Sequence, residues 1–147
     1  MREPVKSTQT QTNDERINHA FNAVKGIAEE NESFQKDFRS AVRSFPTMVH
    51  NNGLSAAIAF LRVKMGDKEE NHYNLLHDTL EQWLVQASRL KENGSDEKTK
   101  DLLEAVINLS LDEYRIITKE VMLYSQWIKR FAEGMLSKDE QKQSSSK

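Results

Sequence analysis

The chain has 147 residues, a formal net charge of −2, and no cysteine. That length supports one hydrophobic core burying roughly 70% of the unfolded surface, while the lack of cysteine excludes disulfides, thiolate metal sites and a small secreted disulfide scaffold, leaving the cytoplasm as the expected compartment. A charged fraction of 30% with only 2 Pro and 5 Gly points to an all-α, compact single-domain bundle of about six or seven helices.

Residues 1–12 are rich in Thr and Gln without apolar periodicity, and 137–147 end in a polar Ser/Lys/Gln run. Both are expected to be disordered tails around a helical domain at 13–136. Residues 1–16 lack a basic region followed by an apolar run, and no stretch approaches the ~20 apolar residues of a membrane span, so neither export by that route nor membrane insertion is expected.

Asn13 is positioned to cap a helix reaching about Glu30 that buries Ile17, Phe21, Val24 and Ile27. Ser33 is placed to cap the next, with Phe34, Phe38, Ala41, Val42 and Phe45 on one stripe and Lys36, Arg39 and Arg43 opposite. Pro46 suits the first turn of a new short helix, because a proline lacks the N–H that would continue the preceding one. Asn51-Asn52-Gly53 is a turn signal.

Leu54 to Met65 is apolar on almost every face, the mark of a central core helix, and Gly66-Asp67-Lys68 closes it. A longer helix from about Glu69 to Lys91 buries Tyr73, Leu76, Leu80, Trp83, Leu84 and Ala87, with Asn93-Gly94 as its stop. Ser95 or Asp96 begins a short helix holding Leu102, Leu103, Val106 and Ile107. Ser110-Leu111-Asp112-Glu113 then has capping-box spacing for a last helix of about 25 residues. Its stripe is Ile117, Val121, Tyr124, Ile128, Phe131 and Met135, flanked by Ile116, Leu123 and Trp127.

Catalytic signatures are missing. Glycines at 26, 53, 66, 94 and 134 stand too far apart for a phosphate-binding loop, and no G-x-S-x-G elbow occurs. His72 and His77 are separated by about 140° around a helix, so they do not converge on a metal as an i, i+4 pair would. His50 reads as a capping or surface histidine. No cofactor, metal ligand set or catalytic residue is nominated.

Charge is unevenly distributed. Residues 34–65 carry Lys36, Arg39, Arg43, Arg62 and Lys64 against Asp37 alone, whereas 66–105 hold ten acids and five bases. A row of cations at offsets of three and four can follow a phosphate backbone, although a solvated amphipathic face has the same pattern. Arg62 and Lys64 end an apolar helix, where they also favour the negative end of its dipole. Arg115, Lys119 and Arg130, near Lys129, form a second outward set on the last helix, diluted by Glu120 and Glu133. The aromatics Phe34, Phe38, Phe60, Trp83, Tyr124 and Phe131 are spaced as core residues. With no exposed stacking platform, any nucleic-acid contact is expected to be to phosphate, without sequence preference.

The run from Phe45 to Lys64, with its Pro46, Asn52-Gly53-Leu54, Ala59-Phe60-Leu61 and Lys64, resembles the small alpha-helical subunit of the type III-B CRISPR (Cmr) complex. Tyr114 to Leu136, with Thr118-Lys119-Glu120 and Gln126-Trp127-Ile128-Lys129-Arg130-Phe131-Ala132, resembles that family's closing helix, and Lys25 also fits its pattern. Gln126 departs from the Asn associated with the family. The resemblance implies a non-catalytic subunit, present in several copies and stacked along the backbone subunits that hold guide RNA, helping to hold guide and target RNA for antiviral defence. On that reading Lys36, Arg39, Arg43 and Lys64 are the leading RNA-binding candidates, Arg62 is a further one, and Lys25, Arg115, Lys119, Lys129 and Arg130 are secondary candidates for RNA or a neighbouring subunit. Two alternatives stay open: a protein-interaction adaptor with no RNA contact, and a small enzyme centred on His72 and His77.

Overall fold

The computed structural model describes residues 8–66, 71–87 and 102–138. These form six α-helices: α1 (Thr8–Ile27), α2 (Glu32–Asn52), α3 (Leu54–Met65), α4 (His72–Gln86), α5 (Leu102–Ile107) and α6 (Leu111–Met135). The all-α expectation holds. The expected helix end at Lys91, the Asn93-Gly94 stop and the Ser95 or Asp96 start lie outside the described residues.

Helix α1 starts within the segment that the sequence assigns to a tail, so Asn13 is an interior residue. Its Oδ1 accepts a hydrogen bond from Arg16 Nη1 rather than capping a helix. The buried stripe is Arg16, Ala20, Val24 and Ile27. This stripe is rotated from the expected one because Arg16 is drawn inward by Glu120. Ile17 and Phe21 are left at the rim, and Phe21 meets Phe131 edge-on at 5.5 Å.

The cap of α2 is Asn31, whose Oδ1 accepts from Phe34 N–H at 2.8 Å; Ser33 is an exposed residue of the first turn. Pro46 opens no new helix. It lies inside α2, which runs on despite the missing N–H because Val42, Phe45, Pro46 and Val49 all bury their side chains. Burial of this run offsets the ~3 kcal/mol that an interior proline costs. Gly53 then turns the chain at φ 94°, a left-handed value that favours glycine.

Helix α3 is less central than its composition suggests. Only Leu54, Ala57, Ile58 and Leu61 are buried, and Val63 is 76% exposed. Asn71 and Asn74 form a capping box for α4, and the expected Ser110–Glu113 capping box opens α6. In α6, Ile117, Val121, Tyr124 and Ile128 are buried as expected. Phe131 and Met135 are half-buried at the rim, and Ile116 and Leu123 face outward.

Helix α6 is the axis of the bundle, with its most extensive interfaces to α1 and α2. The Arg16–Glu120 and Phe21–Phe131 contacts show that α1 runs parallel to α6, whereas α2 runs antiparallel, from Arg39 beside Glu133 to His50 near Met122. Helix α4 completes the ring by packing on α2, α6 and, more lightly, α1; α3 covers α2 and α4, and α5 leans on α3. The α2/α6 and α1/α4 edges therefore lie across the bundle from one another. Trp83 and Tyr124 stack in its centre, 5.5 Å apart and 11° from parallel. No helix among the described residues is long and apolar enough to cross a membrane.

Candidate nucleic-acid interface

The sequence treats the cations of α2 and those of α6 as separate sets, but antiparallel packing brings part of each to one edge. An open groove of about 490 Å³ between these helices is lined by Pro46, Thr47, His50, Gln126, Lys129 and Arg130, with Glu133 at its side. Arg43 joins it through Glu133, its Nε standing 3.8 Å from the Glu133 carboxylate. Both side chains are substantially exposed, so the pair adds little stability and leaves Arg43 able to exchange partners. The guanidinium of Arg130 lies 4.9 Å from the Trp127 ring centroid. A cation held over an aromatic face keeps its charge available while losing side-chain freedom beforehand.

Arg39 does not belong to this outward row. It is only 8% exposed, and its Nη2 donates to the Glu133 carbonyl at 3.3 Å while its Nε is buried without a hydrogen bond. The helix period places it on the flank of α2 that packs against α6, where it meets one of the last carbonyls of α6 and the negative end of that dipole. Its role is in the fold. Lys36 is half-buried at the start of α2.

The other candidates are scattered. Arg62 and Lys64 are exposed near the end of α3, with Lys64 Nζ 5.6 Å from the Phe60 ring centroid. Lys25 is exposed near the end of α1, and Arg115 and Lys119 lie on the first half of α6, away from the groove. Glu120, taken from sequence as a surface acid diluting that set, is instead 3% exposed. Its Oε2 accepts from Arg16 Nε at 2.6 Å and from Trp83 Nε1 at 2.8 Å. Spacing could have found it, since 117, 120, 124 and 128 share one helix face.

His72 and His77 do not converge. The His72 ring packs on Tyr73 and meets Phe34 edge-on. Partial burial lowers its pKa, with Asp37 opposing the shift. His77 gathers instead with Asp78 and Glu81, whose ligand-type atoms lie within 4.8 Å of one another. Its Nδ1 is 3.0 Å from Asp78 Oδ1, and Glu81 stands one turn on along the same helix, where i, i+4 side chains are neighbours.

Two comparisons with known proteins bear on this arrangement. A family model described as CRISPR-associated protein (Cas_Cmr5) matches residues 12–135. The chain is also similar to the crystal structure of a CRISPR-associated Cmr5 family protein from Thermus thermophilus. That likeness has a TM-score of 0.65 at 24% identity and covers 90% of this chain and 100% of the other.

Proposed function

Because this chain belongs to the Cas_Cmr5 family of CRISPR-associated proteins, small subunits of the type III-B Cmr complex, we propose that it is a non-catalytic subunit holding RNA along its α2/α6 edge. In this reading it acts in the cytoplasm, in several copies stacked beside the backbone subunits, and touches guide or target RNA through phosphate. The observation that carries the RNA reading is one open groove lined by Lys129 and Arg130, with Arg43 beside it through Glu133, the one carboxylate among the described lining residues. Cations at helical spacing on two antiparallel helices track a phosphate backbone without reading bases. Sequence selection then rests with guide–target pairing, as expected for an RNA-guided complex.

Lys36, Lys64, Arg62, Lys25, Arg115 and Lys119 are outside the groove lining, and we assign them to neighbouring subunits or to RNA leaving the groove. Glu133 favours one alternative, an adaptor that uses the same edge for protein alone. Complexes reconstituted with Arg43→Glu/Lys129→Glu/Arg130→Glu separate the two readings. RNA contact requires that assembly persist while target-RNA affinity and its salt dependence fall; lost assembly with unchanged RNA affinity in the remaining complex points to the adaptor.

A further inference from the structure

The edge opposite the cationic groove has the converse chemistry. Helix α4 runs from His72, beside Phe34 at the start of α2, to Trp83, beside Glu120, and is therefore antiparallel to α1 and α6; α1 and α4 meet lightly and leave an open groove of about 650 Å³. Its walls carry Glu15, Asn18 and Asn22 on α1 and Asp78, Gln82 and Gln86 on α4, and among the described residues no lining side chain is a lysine or arginine. The floor is drier, with Thr79 buried and Ala23 and Leu75 half-buried. Among the described residues, these amides and Glu15 have no side-chain hydrogen bond, and Asp78 bonds only to neighbouring His77.

The spacing matters. Asp78, Gln82 and Gln86 recur every four residues, a rise of about 6 Å per step, while Asn18 and Asn22 repeat the interval on the facing helix. Two residues of an extended polypeptide advance by about 6.6 Å, so successive turns of these helices match successive dipeptides to within about 1 Å. Each Asn or Gln side chain both donates and accepts, as one peptide unit requires. The antiparallel course puts Glu15 toward one end of the groove and Asp78 toward the other. Two carboxylates with no cation among the described lining residues repel phosphate and favour Lys or Arg.

We propose that the α1/α4 groove binds an extended segment of a partner protein, its backbone bridged by the Asn and Gln side chains and its Lys or Arg side chains paired with Glu15 and Asp78. This site is independent of the RNA reading of the α2/α6 edge. It is a peptide site of modest affinity by itself, suited to one strand of a larger assembly contact.

The test uses the full-length chain and a fluorescein-labelled nonapeptide of alternating Thr and Val with two lysines separated by three residues. Its controls are the same peptide with glutamates for lysines and a labelled oligouridylate. Binding of the lysine peptide that weakens with salt, and at least tenfold in Glu15→Lys/Asp78→Lys, is expected. Asn18→Ala/Gln82→Ala is expected to weaken binding several-fold without altering its salt dependence, and Arg43→Glu to leave it unchanged. All four groove positions lie on the solvent side of the bundle, so thermal melts should match the parent. Absence of lysine-peptide binding, equal binding of the glutamate peptide, or affinity untouched by both double variants would overturn the proposal. Oligouridylate binding lost in Glu15→Lys/Asp78→Lys would overturn it in favour of RNA.

Discussion

Arg16 and Glu120 meet across 104 residues through two hydrogen bonds, Nε to Oε2 at 2.6 Å and Nη2 to Oε1 at 2.9 Å, with both side chains nearly excluded from solvent. Trp83 donates its indole N–H to the same carboxylate, and Asn13 accepts from the remaining guanidinium nitrogen. One carboxylate thereby ties α1, α4 and α6 together. Such a pair orients the helices, but removing either member strands a charge in a poorly solvated site.

Glu120→Ala is accordingly expected to destabilise the protein by about 3–5 kcal/mol in urea unfolding, because Arg16 and Trp83 both lose their acceptor. Arg16→Met/Glu120→Leu should cost less than the sum of its single substitutions, since the apolar pair leaves no buried charge. Additive losses would show that the two groups are not energetically coupled.

The first turn of α3 is held from outside its own helix. Gly53 precedes α3 without a capping side chain, and the Tyr114 hydroxyl accepts from Ser55 N–H at 3.0 Å. Tyr114→Phe should therefore cost about 1 kcal/mol, as a lost cap does. Gly53→Ala should cost at least as much, because a Cβ is strained at φ 94° although it would meet the Tyr114 hydroxyl at an ordinary 3.6 Å. Chemical denaturation of both variants measures these terms.

Stability should decline on mild acidification. Burial lowers the pKa of His19, whose ring packs beside the stacked Trp83 and Tyr124 rings, 5.5 and 5.4 Å from their centroids. The unfolded chain then takes up its proton first, near pH 6.5. The stabilisation is complete above that value and erodes as pH falls through it toward the lower folded pKa. His72 acts in the same direction. Unfolding free energies from pH 8 to 5 should fall less steeply for His19→Gln than for the parent; parallel curves would remove His19 from the account.

Arg39 and Arg43 sit one helical turn apart and should part company experimentally. Arg39→Ala is expected to lower stability by about 1–3 kcal/mol, through the lost bond to the Glu133 carbonyl and lost side-chain packing. Arg43→Ala should stay within about 0.5 kcal/mol of the parent, as exposed positions do. If Arg43 contacts single-stranded RNA phosphate, its removal should reduce the slope of log affinity against log salt by about 0.7.

Much of the fold was legible because helix periodicity and caps are local. Ser110 and Glu113 announce α6, the apolar residues of α3 bracket it, and the stripe through Ile117, Tyr124 and Ile128 marks the buried face of α6. Local signals misled where a tertiary contact outweighed them. Pro46 reads as a helix start until the burial of its neighbours carries α2 through it. Arg39 and Glu120 read as surface charges until α6 and α1 supply their partners.

By itself the sequence determined that this chain makes α-helices, where most of them lie, and, through the residues around Asn52-Gly53-Leu54 and in the last helix, which family it resembles. Those features depend on spacing along one helix and on residues adjacent in the chain. Only the tertiary structure decided which charges are spent inside the bundle and which reach solvent together. Packing of α2 on α6 brings Arg43, through Glu133, beside the groove of Lys129 and Arg130, 86 and 87 positions away in the sequence, and the α1/α4 groove exists because two antiparallel helices meet only lightly. Both depend on how the helices pack, which a one-dimensional charge pattern does not specify.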